Sequence, residues 1–299
     1  MTSTTTASTT ASASAPAHDP AERMLRFHQP EKVLRHLGPA PDEATLAALF
    51  GLDPAGYRSY LGRFEDRNRA AAAALAATPG AAARLAGLPF RPGEHVVAVG
   101  ESTTADRLSW FEVLRHLLPE GVRSTNLAVS GSTTTQALAN LPLLAFQRPD
   151  WVLCMLGAND VQRLDGIPLV TAAETRRTLR ALRDLTVRRT GARWVWLTPT
   201  GIDPGRVAEY VHFRRAGLAW AGEDLDAIAD LLLAEPEPTV DTRAAAHGHW
   251  EEDGVHLTPA GQQRVAAAVL DALMPEPESE PDPDPTPAED TPDPAGPRP

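Results

Sequence analysis

From Pro92 onward the sequence predicts an α/β fold in which a five-stranded parallel sheet lies between two layers of helices. Short apolar runs rich in β-branched residues alternate with longer segments of helical periodicity, which is typical of parallel strands joined by crossover helices. The run 151–156 is apolar throughout, as in a strand that is buried on both faces. The predicted architecture is therefore a three-layer, flavodoxin-like sandwich, in which ligands bind outside the carboxyl ends of the strands.

The individual elements follow from the same patterns. Strands are predicted at residues 95–99, 123–128, 151–156, 193–198 and 238–241. Helices are predicted between them at residues 106–118, 133–146, 172–189, within 206–233, and at 259–272. In the third of these helices, arginines occupy one face and leucines the other, so we expect it to be amphipathic with a solvated outer side.

Three further segments flank the sheet domain, which we place at residues 91–274. Residues 21–90 contain helical patterns at about 21–37, 41–50 and 54–77 and no convincing strand. This helical region is predicted either to pack on the main domain or to form a cap over its functional site. Residues 1–20 are rich in Ser, Thr and Ala, and residues 275–299 alternate Pro with acidic residues, so both are predicted to be disordered tails.

The distribution of charge argues against a nucleic-acid partner. Residues 275–299 hold eight acidic residues and one arginine, so they carry −7 of the formal net charge of −11. The remainder of the 299-residue chain is only mildly acidic and has no concentrated basic stripe. Because Lys and Arg must neutralise phosphates in nucleic-acid binding, nucleic acid is not an expected partner.

Membrane and export signals are not recognised either. The sequence has no apolar run of about 18 residues, so no transmembrane segment is predicted. Its first residues lack the basic start and apolar run of a secretory signal. Cys154 is the single cysteine, so no disulfide forms within the chain, and it is predicted to be a packed core residue. The expected location is therefore the cytoplasm, with secretion by an unrecognised route as the alternative.

Four short segments carry chemistry-bearing residues to the expected binding edge. In the first, residues 96–104, a β-branched run ends on a glycine and presents the hydroxyl of Ser102 at the start of a helix. Asn-Leu-Ala-Val-Ser-Gly at 126–131, Gly-Ala-Asn-Asp at 157–160 and Asp-Gly-Val-His at 253–256 follow in order. Each segment alone is explained as well by a helix cap or a turn. Together they supply a nucleophile, oxyanion donors, a base and an orienting acid.

This ordered set resembles the blocks of the SGNH hydrolases, also called GDSL lipases and acylhydrolases, over about residues 96–262. The resemblance implies the SGNH hydrolase fold and a serine esterase that forms an acyl-enzyme. Ser102 would be the nucleophile, His256 the general base and Asp253 its partner. The oxyanion hole would comprise the backbone N–H groups of Ser102 and Gly131 and the side-chain amide of Asn159. Small-molecule, lipid or carbohydrate esters are the expected substrates, and neither a cofactor nor a metal is expected.

One position departs from the family pattern. The usual Gly-Asp-Ser of the first block is Gly100-Glu101-Ser102 here, which keeps the negative charge on a longer arm. This departure leaves a catalytically silent ligand-binding module as one alternative. An acyltransferase of the same fold is a second, because it would share the acyl-enzyme. Asp160 is predicted to position its loop, and the segments predicted to line the substrate pocket are 103–109, 162–169 and 201–218.

Overall fold

The computed structural model describes residues 19–33 and 41–274. Its strands are β1 (His95–Gly100), β2 (Arg123–Asn126), β3 (Trp151–Met155), β4 (Arg163–Leu164), β5 (Ile167–Pro168), β6 (Arg193–Leu197), β7 (Leu218–Ala219) and β8 (Thr239–Val240). Five of these strands form a parallel sheet in the order β2-β1-β3-β6-β8, which is the predicted α/β architecture. All five strands of that sheet lie within segments predicted to be strands, apart from the added Gly100 at the end of β1.

The helices flank this sheet and also build the N-terminal region. They are α1 (Pro20–Phe27), α2 (Pro30–Val33), α3 (Glu43–Leu49), α4 (Pro54–Ala76), α5 (Ala81–Ala86), α6 (Ser102–Ala105), α7 (Trp110–Leu114), α8 (Thr134–Ala139), α9 (Leu141–Phe146), α10 (Ala172–Thr190), α11 (Pro204–Glu209), α12 (Val211–Ala216), α13 (Gly222–Leu233), α14 (Arg243–Ala246) and α15 (Pro259–Ala272). No helix among the described residues is both long enough and apolar enough to cross a bilayer.

The sheet is buried on both faces, as its apolar strands require. Every residue of β1 and β3 is buried. Because successive side chains of a strand point to opposite faces, Val96 and Ala98 pack in one core with residues of α7 and α15. Val97, Val99 and Cys154 pack in the other core with residues of α10 and α13. Cys154 is a free, buried cysteine, as predicted.

One predicted helix is shortened and another is divided, each for a local reason. Within 106–118 the carboxylate of Asp106 accepts a hydrogen bond from the Leu108 N–H (2.9 Å), so a turn forms there and α7 begins only after its cap, Ser109. Within 133–146 the chain forms α8 and α9, with Pro142 in the first turn of α9. A proline is accommodated in a first turn but not in a helix interior, because it has no N–H to donate.

The predicted helix within 206–233 is also divided, and a second sheet accompanies the division. The chain there forms α11, α12, β7 and α13, and Gly217 ends α12 immediately before β7. Strand β7 joins β4 and β5 in a small antiparallel sheet of order β5-β4-β7. This sheet was not predicted, because its strands are two residues long and show no alternating pattern.

The N-terminal helices pack against the sheet domain. A small apolar cluster joins α1, α3 and α4 to the main domain through Leu108. The predicted segment 21–37 forms α1 and α2, and its residues 34–37 lie outside the described part of the chain. The tail predicted at 1–20 overlaps the described residues only at Asp19 and Pro20, where α1 begins, and the tail predicted at 275–299 lies wholly outside them.

A buried ion pair fastens α1 to this domain. Nη2 of Arg26 lies 2.7 Å from Oδ2 of Asp106, and both side chains are at most 9% exposed. Arg26 also donates to the carboxylate of Glu251 (2.7 Å) and to the carbonyl oxygen of Leu257 (3.1 Å). The guanidinium therefore joins α1 to two distant loops of the sheet domain, the turn after α6 and the segment before α15.

Replacing one partner of this pair should destabilise the fold. Asp106→Asn removes the fully buried one of the two counter-charges of Arg26, so we expect the free energy of unfolding to fall by about 3 kcal/mol. Urea titration followed by circular dichroism measures this. The matched control is Glu43→Gln, which removes an exposed partner of Arg58 and should cost less than about 1 kcal/mol. Equal losses in the two variants would contradict the assignment of this energy to burial.

Candidate active site

Ser102 is the first residue of α6, directly after β1, and its position depends on the close packing of Gly100. A Cβ atom at Gly100 would lie 2.6 Å from the side chain of Thr104 and 3.0 Å from a carbonyl oxygen of β3. Glycine is therefore the residue that lets the chain turn from β1 into α6 beside β3. The turn leaves Ser102 at the carboxyl edge of the sheet, in a cleft that Asn159 also lines.

Asp253 and His256 are hydrogen-bonded to each other in the loop before α15. Nδ1 of His256 lies 2.8 Å from Oδ2 of Asp253. The other carboxylate oxygen, Oδ1, accepts from the backbone N–H groups of Val255 and His256, both at 2.9 Å. Burial of Asp253 disfavours its charged form, but hydrogen bonds and charge from His256 outweigh this and hold the pKa of Asp253 well below its usual range. Such an anion can fix the tautomer of His256 and stabilise its imidazolium form.

Backbone hydrogen bonds fix the loop that carries this pair. The N–H of Glu251 donates to the carbonyl oxygen of His256 (2.7 Å), and the N–H of Thr258 donates to that of His249 (2.9 Å). The Thr258 hydroxyl then caps α15, whose first residue is Pro259, as the sequence predicts. The histidine is therefore held on a short, doubly bonded loop next to a helix start.

Glu101, the position that departs from the family pattern, is a central group of the site. Its side chain is buried and accepts three hydrogen bonds from the Gly-Ala-Asn-Asp segment. Oε1 accepts from the Ala158 N–H (3.1 Å), and Oε2 accepts from both the backbone N–H (3.0 Å) and Nδ2 (2.8 Å) of Asn159. Burial raises the pKa of Glu101 to about 8, although the N–H groups favour the carboxylate. Glu101 therefore joins the serine turn to the asparagine loop, with a charge that changes near pH 8.

Asn159 is also connected to the second block. Its Nδ2 donates to the carbonyl oxygen of Ser132 (3.2 Å), which directly follows Gly131. Gly131 lies in the turn after β2, which the N–H of Ser132 closes by donating to the carbonyl oxygen of Val129 (3.2 Å). The structure thus bonds the third block to the residue that follows the second block, and Glu101 joins the third block to the first.

Asp160 supports the same loop from the other side. It is fully buried and accepts hydrogen bonds from the N–H (2.9 Å) and hydroxyl of Thr134, and from the hydroxyl of Thr175 (3.1 Å). Burial raises its pKa, whereas these donors lower it. The carboxyl group therefore ties the asparagine loop to the start of α8 and to α10, which fits the positioning role predicted for it.

The cleft beside Ser102 is narrow and partly apolar. It is also lined by Met155, Thr200, Ile202, Trp220, Leu225 and Val255. Among the described residues, Thr103 and Ile202 come from two of the three segments predicted to line it. The third, 162–169, contributes no lining residue and instead forms β4 and β5.

Three residues beside the site were not anticipated from the sequence. Trp220, between β7 and α13, lines the cleft, and its Nε1 donates to the carbonyl oxygen of Ala158 (3.0 Å). From α1, the ring of Phe27 lies 4.4 Å from that of His256, and Arg23 donates to the carboxylate of Asp253. The contacts of Phe27 and Arg23 span more than 200 residues and that of Trp220 spans 62, and contacts so distant in sequence leave no periodic signal. The N-terminal region thus both packs on the main domain and covers part of the candidate site.

Similarity to known proteins identifies the family to which this chain belongs. A profile of the GDSL-like Lipase/Acylhydrolase family matches residues 96–264. The chain therefore belongs to that family and is an ester-hydrolysing enzyme. No curated protein matches it.

Solved structures are similar to this chain at low sequence identity. A carbohydrate acetylesterase family member from Sinorhizobium meliloti is 21% identical, with a TM-score of 0.51 over 60% of this chain and 97% of that one. An acetyl xylan esterase from Geobacillus stearothermophilus is 24% identical, with a TM-score of 0.49 over 62% and 96%. A lipase/acylhydrolase from Enterococcus faecalis is 20% identical, with a TM-score of 0.47 over 60% and 94%.

The bonds of Glu101 to Asn159 should make the effect of Glu101→Gln depend on pH. An amide resembles the protonated acid, but it cannot accept at both oxygens as the carboxylate does. We expect the ratio of kcat in the parent to kcat in the variant to be small near pH 6 and to rise through about pH 8, towards roughly 100-fold, the loss typical of a displaced oxyanion donor. Steady-state ester hydrolysis from pH 6 to 9.5 measures this ratio.

The control is Glu94→Gln, which alters a carboxylate just before β1, at the opposite edge of the sheet. Its kcat should track that of the parent at every pH. A constant ratio for Glu101→Gln across the range would show that the charge of Glu101 does not govern Asn159.

Proposed function

We propose that this enzyme is a serine esterase that cleaves carboxylic esters through an acyl-enzyme. Ser102 is the nucleophile and His256 is the general base. Asp253 orients His256 and stabilises its imidazolium form. The observation that carries the proposal is the hydrogen bond between His256 and Asp253, whose remaining carboxylate oxygen is fixed by two backbone N–H groups. Val255, the residue before His256, lines the same cleft as Ser102.

The reaction has two balanced halves. In the first, Oγ of Ser102 attacks the acyl carbon while its proton passes to Nε2 of His256. The C–O bond to the alcohol then breaks, and the alcohol leaves with that proton. In the second, a water molecule gives a proton to Nε2 of His256 and attacks the acyl carbon. The bond from that carbon to Oγ of Ser102 then breaks, His256 returns the proton to Oγ, and the carboxylic acid leaves. Asp253 stays ionised throughout and stabilises the imidazolium.

The tetrahedral intermediates need donors at the position where the oxyanion forms. We assign this role to the N–H groups of Ser102 and Gly131 and to the side-chain amide of Asn159. In the structure that amide donates to Glu101 at 2.8 Å and to the carbonyl oxygen of Ser132 at 3.2 Å. The longer bond, to Ser132, is the one that an oxyanion would replace, while Glu101 keeps the amide oriented.

Loss of the nucleophile or the base should abolish hydrolysis. For Ser102→Ala and His256→Ala we expect kcat/KM on p-nitrophenyl acetate to fall by at least about 10³-fold, because neither group can act without the other. Ser59→Ala, on the exposed face of α4, is the matched control and should keep parental activity. A fluorophosphonate should label Ser102 in the parent and should fail to label Ser102→Ala.

Full activity in the Ser102 variant would overturn the proposal. A parent that folds and takes up the fluorophosphonate, yet hydrolyses no ester until an alcohol acceptor is added, would identify it as an acyltransferase instead. Product analysis with and without the acceptor separates these outcomes.

The size of the cleft favours short acyl groups. Its cavity volume, counted as the space that the centre of a water-sized sphere can occupy, is about 20 Å³, and Ile202 and Trp220 form part of its wall. We expect kcat/KM to be highest for p-nitrophenyl acetate and to fall through butyrate to octanoate. In Ile202→Ala the butyrate-to-acetate ratio should rise by about 10-fold, the size of a one-methylene effect in an apolar pocket. An unchanged chain-length profile in this variant would show that the acyl group binds elsewhere.

A further inference from the structure

Helix α1 lies against the candidate site and is fastened at several points. Besides the Arg26 ion pair, the Phe27 carbonyl oxygen accepts from the hydroxyl of Ser130 (2.6 Å), one residue before Gly131. Nε of Arg107 donates to the carbonyl oxygen of Leu25 (3.0 Å), and Gln29 donates to that of Ala105. The C-terminal end of α1 is therefore bonded to the segments that follow both β1 and β2.

This docking places Arg23 on the carboxylate that serves His256. Nη2 of Arg23 lies 2.6 Å from Oδ2 of Asp253, the same oxygen that is 2.8 Å from Nδ1 of His256. The guanidinium is held in turn by the hydroxyl of Tyr210 (3.3 Å) and the carboxylate of Glu252 (3.4 Å). Asp253 thus accepts from two backbone N–H groups at one oxygen and from an arginine and a histidine at the other.

Phe27 contacts the histidine from the same helix. Its ring centroid lies 4.4 Å from that of His256, with the ring planes inclined by 43°. Phe27 itself is buried, at 7% exposure. A packed aromatic ring at this distance restricts rotation of the imidazole about its side-chain bonds. Two residues of α1 thus contact the Asp253–His256 pair: Arg23 contacts Asp253, and Phe27 contacts His256.

We propose that Arg23 is a positioning residue of this active site: docked through α1, it locks the plane of the Asp253 carboxylate and so aims His256. This inference rests on the proposed esterase function. Without Arg23, Oδ2 of Asp253 keeps His256 as its donor, so the carboxylate and the imidazole can turn together about the backbone N–H groups at Oδ1. Arg23 gives Oδ2 a donor outside this pair, which fixes the plane of the carboxylate. Arg23 also carries a positive charge, which repels the like charge of the imidazolium that His256 forms during the reaction.

Because Arg23 both holds the carboxylate and carries a charge, replacing it should change the pH profile as well as kcat, which loss of a merely structural residue would not do. Removing the positive charge favours the imidazolium, so the acid limb of the pH profile should move to higher pH. Burial raises the pKa of Tyr210, so its hydroxyl stays neutral across this limb. An Arg23 variant also removes one partner from Asp253 and from Glu252. The other charged groups around His256 keep their partners: Glu251 pairs with Arg26, and Glu101, beside Ser102, accepts from Asn159.

The experiment compares Arg23→Ala, Arg23→Lys and the control Glu22→Ala in the full chain, with p-nitrophenyl acetate as substrate. Glu22 is on the same helix but pairs with Arg67 of α4. For Arg23→Ala we expect kcat to fall about 10-fold, the size of one charged hydrogen bond, with KM within about 2-fold. The acid limb should rise by about 0.5 pH unit. Arg23→Lys keeps the charge and should leave the limb in place, and Glu22→Ala should match the parent.

Chemical rescue separates positioning from folding. Millimolar guanidinium chloride should restore part of the kcat of Arg23→Ala and should not accelerate the parent or Glu22→Ala. An unchanged or increased kcat in Arg23→Ala, or a loss without rescue and without a shifted limb, would overturn the inference. An inert parent that also resists the fluorophosphonate would instead overturn the esterase proposal, so the two failures are distinguishable.

Discussion

A carboxylate buried in this fold must be surrounded by hydrogen-bond donors, because its charge and its lone pairs have lost their water. The edge of the sheet where the candidate site lies contains four such groups, Glu101, Asp106, Asp160 and Asp253, none more than 3% exposed. Each accepts hydrogen bonds from at least one segment that is distant in sequence. The acids therefore do what apolar packing cannot: they fix loops to one another in one orientation, with distances set by hydrogen bonds.

The longer side chain of Glu101 is consistent with this requirement. Its carboxyl group reaches two successive residues of the asparagine loop and leaves neither of its oxygens without a donor. The loop is restricted further at Gly157, which has a φ of 123° and where a Cβ would lie 2.8 Å from the side chain of Ile228. The asparagine loop is therefore held by Glu101, by the packing of Gly157 and by the hydrogen bonds of Asp160. The departure from the family's usual aspartate therefore introduces no unpaired group.

The sequence predicts well those features that depend on local pattern. The five strands of the main sheet were predictable because buried apolar runs such as β3 differ sharply from the segments around them, and Thr258-Pro259 marks the start of α15 directly. The places of the four motif segments in the fold were predictable as well, because each follows a strand or precedes a helix whose bounds the local pattern marks. The turn at Asp106 and the division between α8 and α9 at Pro142 each depend on one residue, and a periodicity taken over a dozen residues does not detect a single residue. The contacts of α1 with the Asp253 loop depend on tertiary packing alone.

The contacts of α1 with Asp253 and His256 connect folding of the N-terminal region to the candidate site. An isolated helix of eight residues is not stable in water, so α1 holds its shape only because Leu25 and Phe27 are buried and Arg26 is paired. The same docking that stabilises α1 sets Arg23 on Asp253 and Phe27 on His256. Since the anchors and the positioning groups share one short helix, neither can move without the other. The Asp253–His256 pair is thus fixed by two segments that lie far apart in the sequence, the loop just before α15 and helix α1.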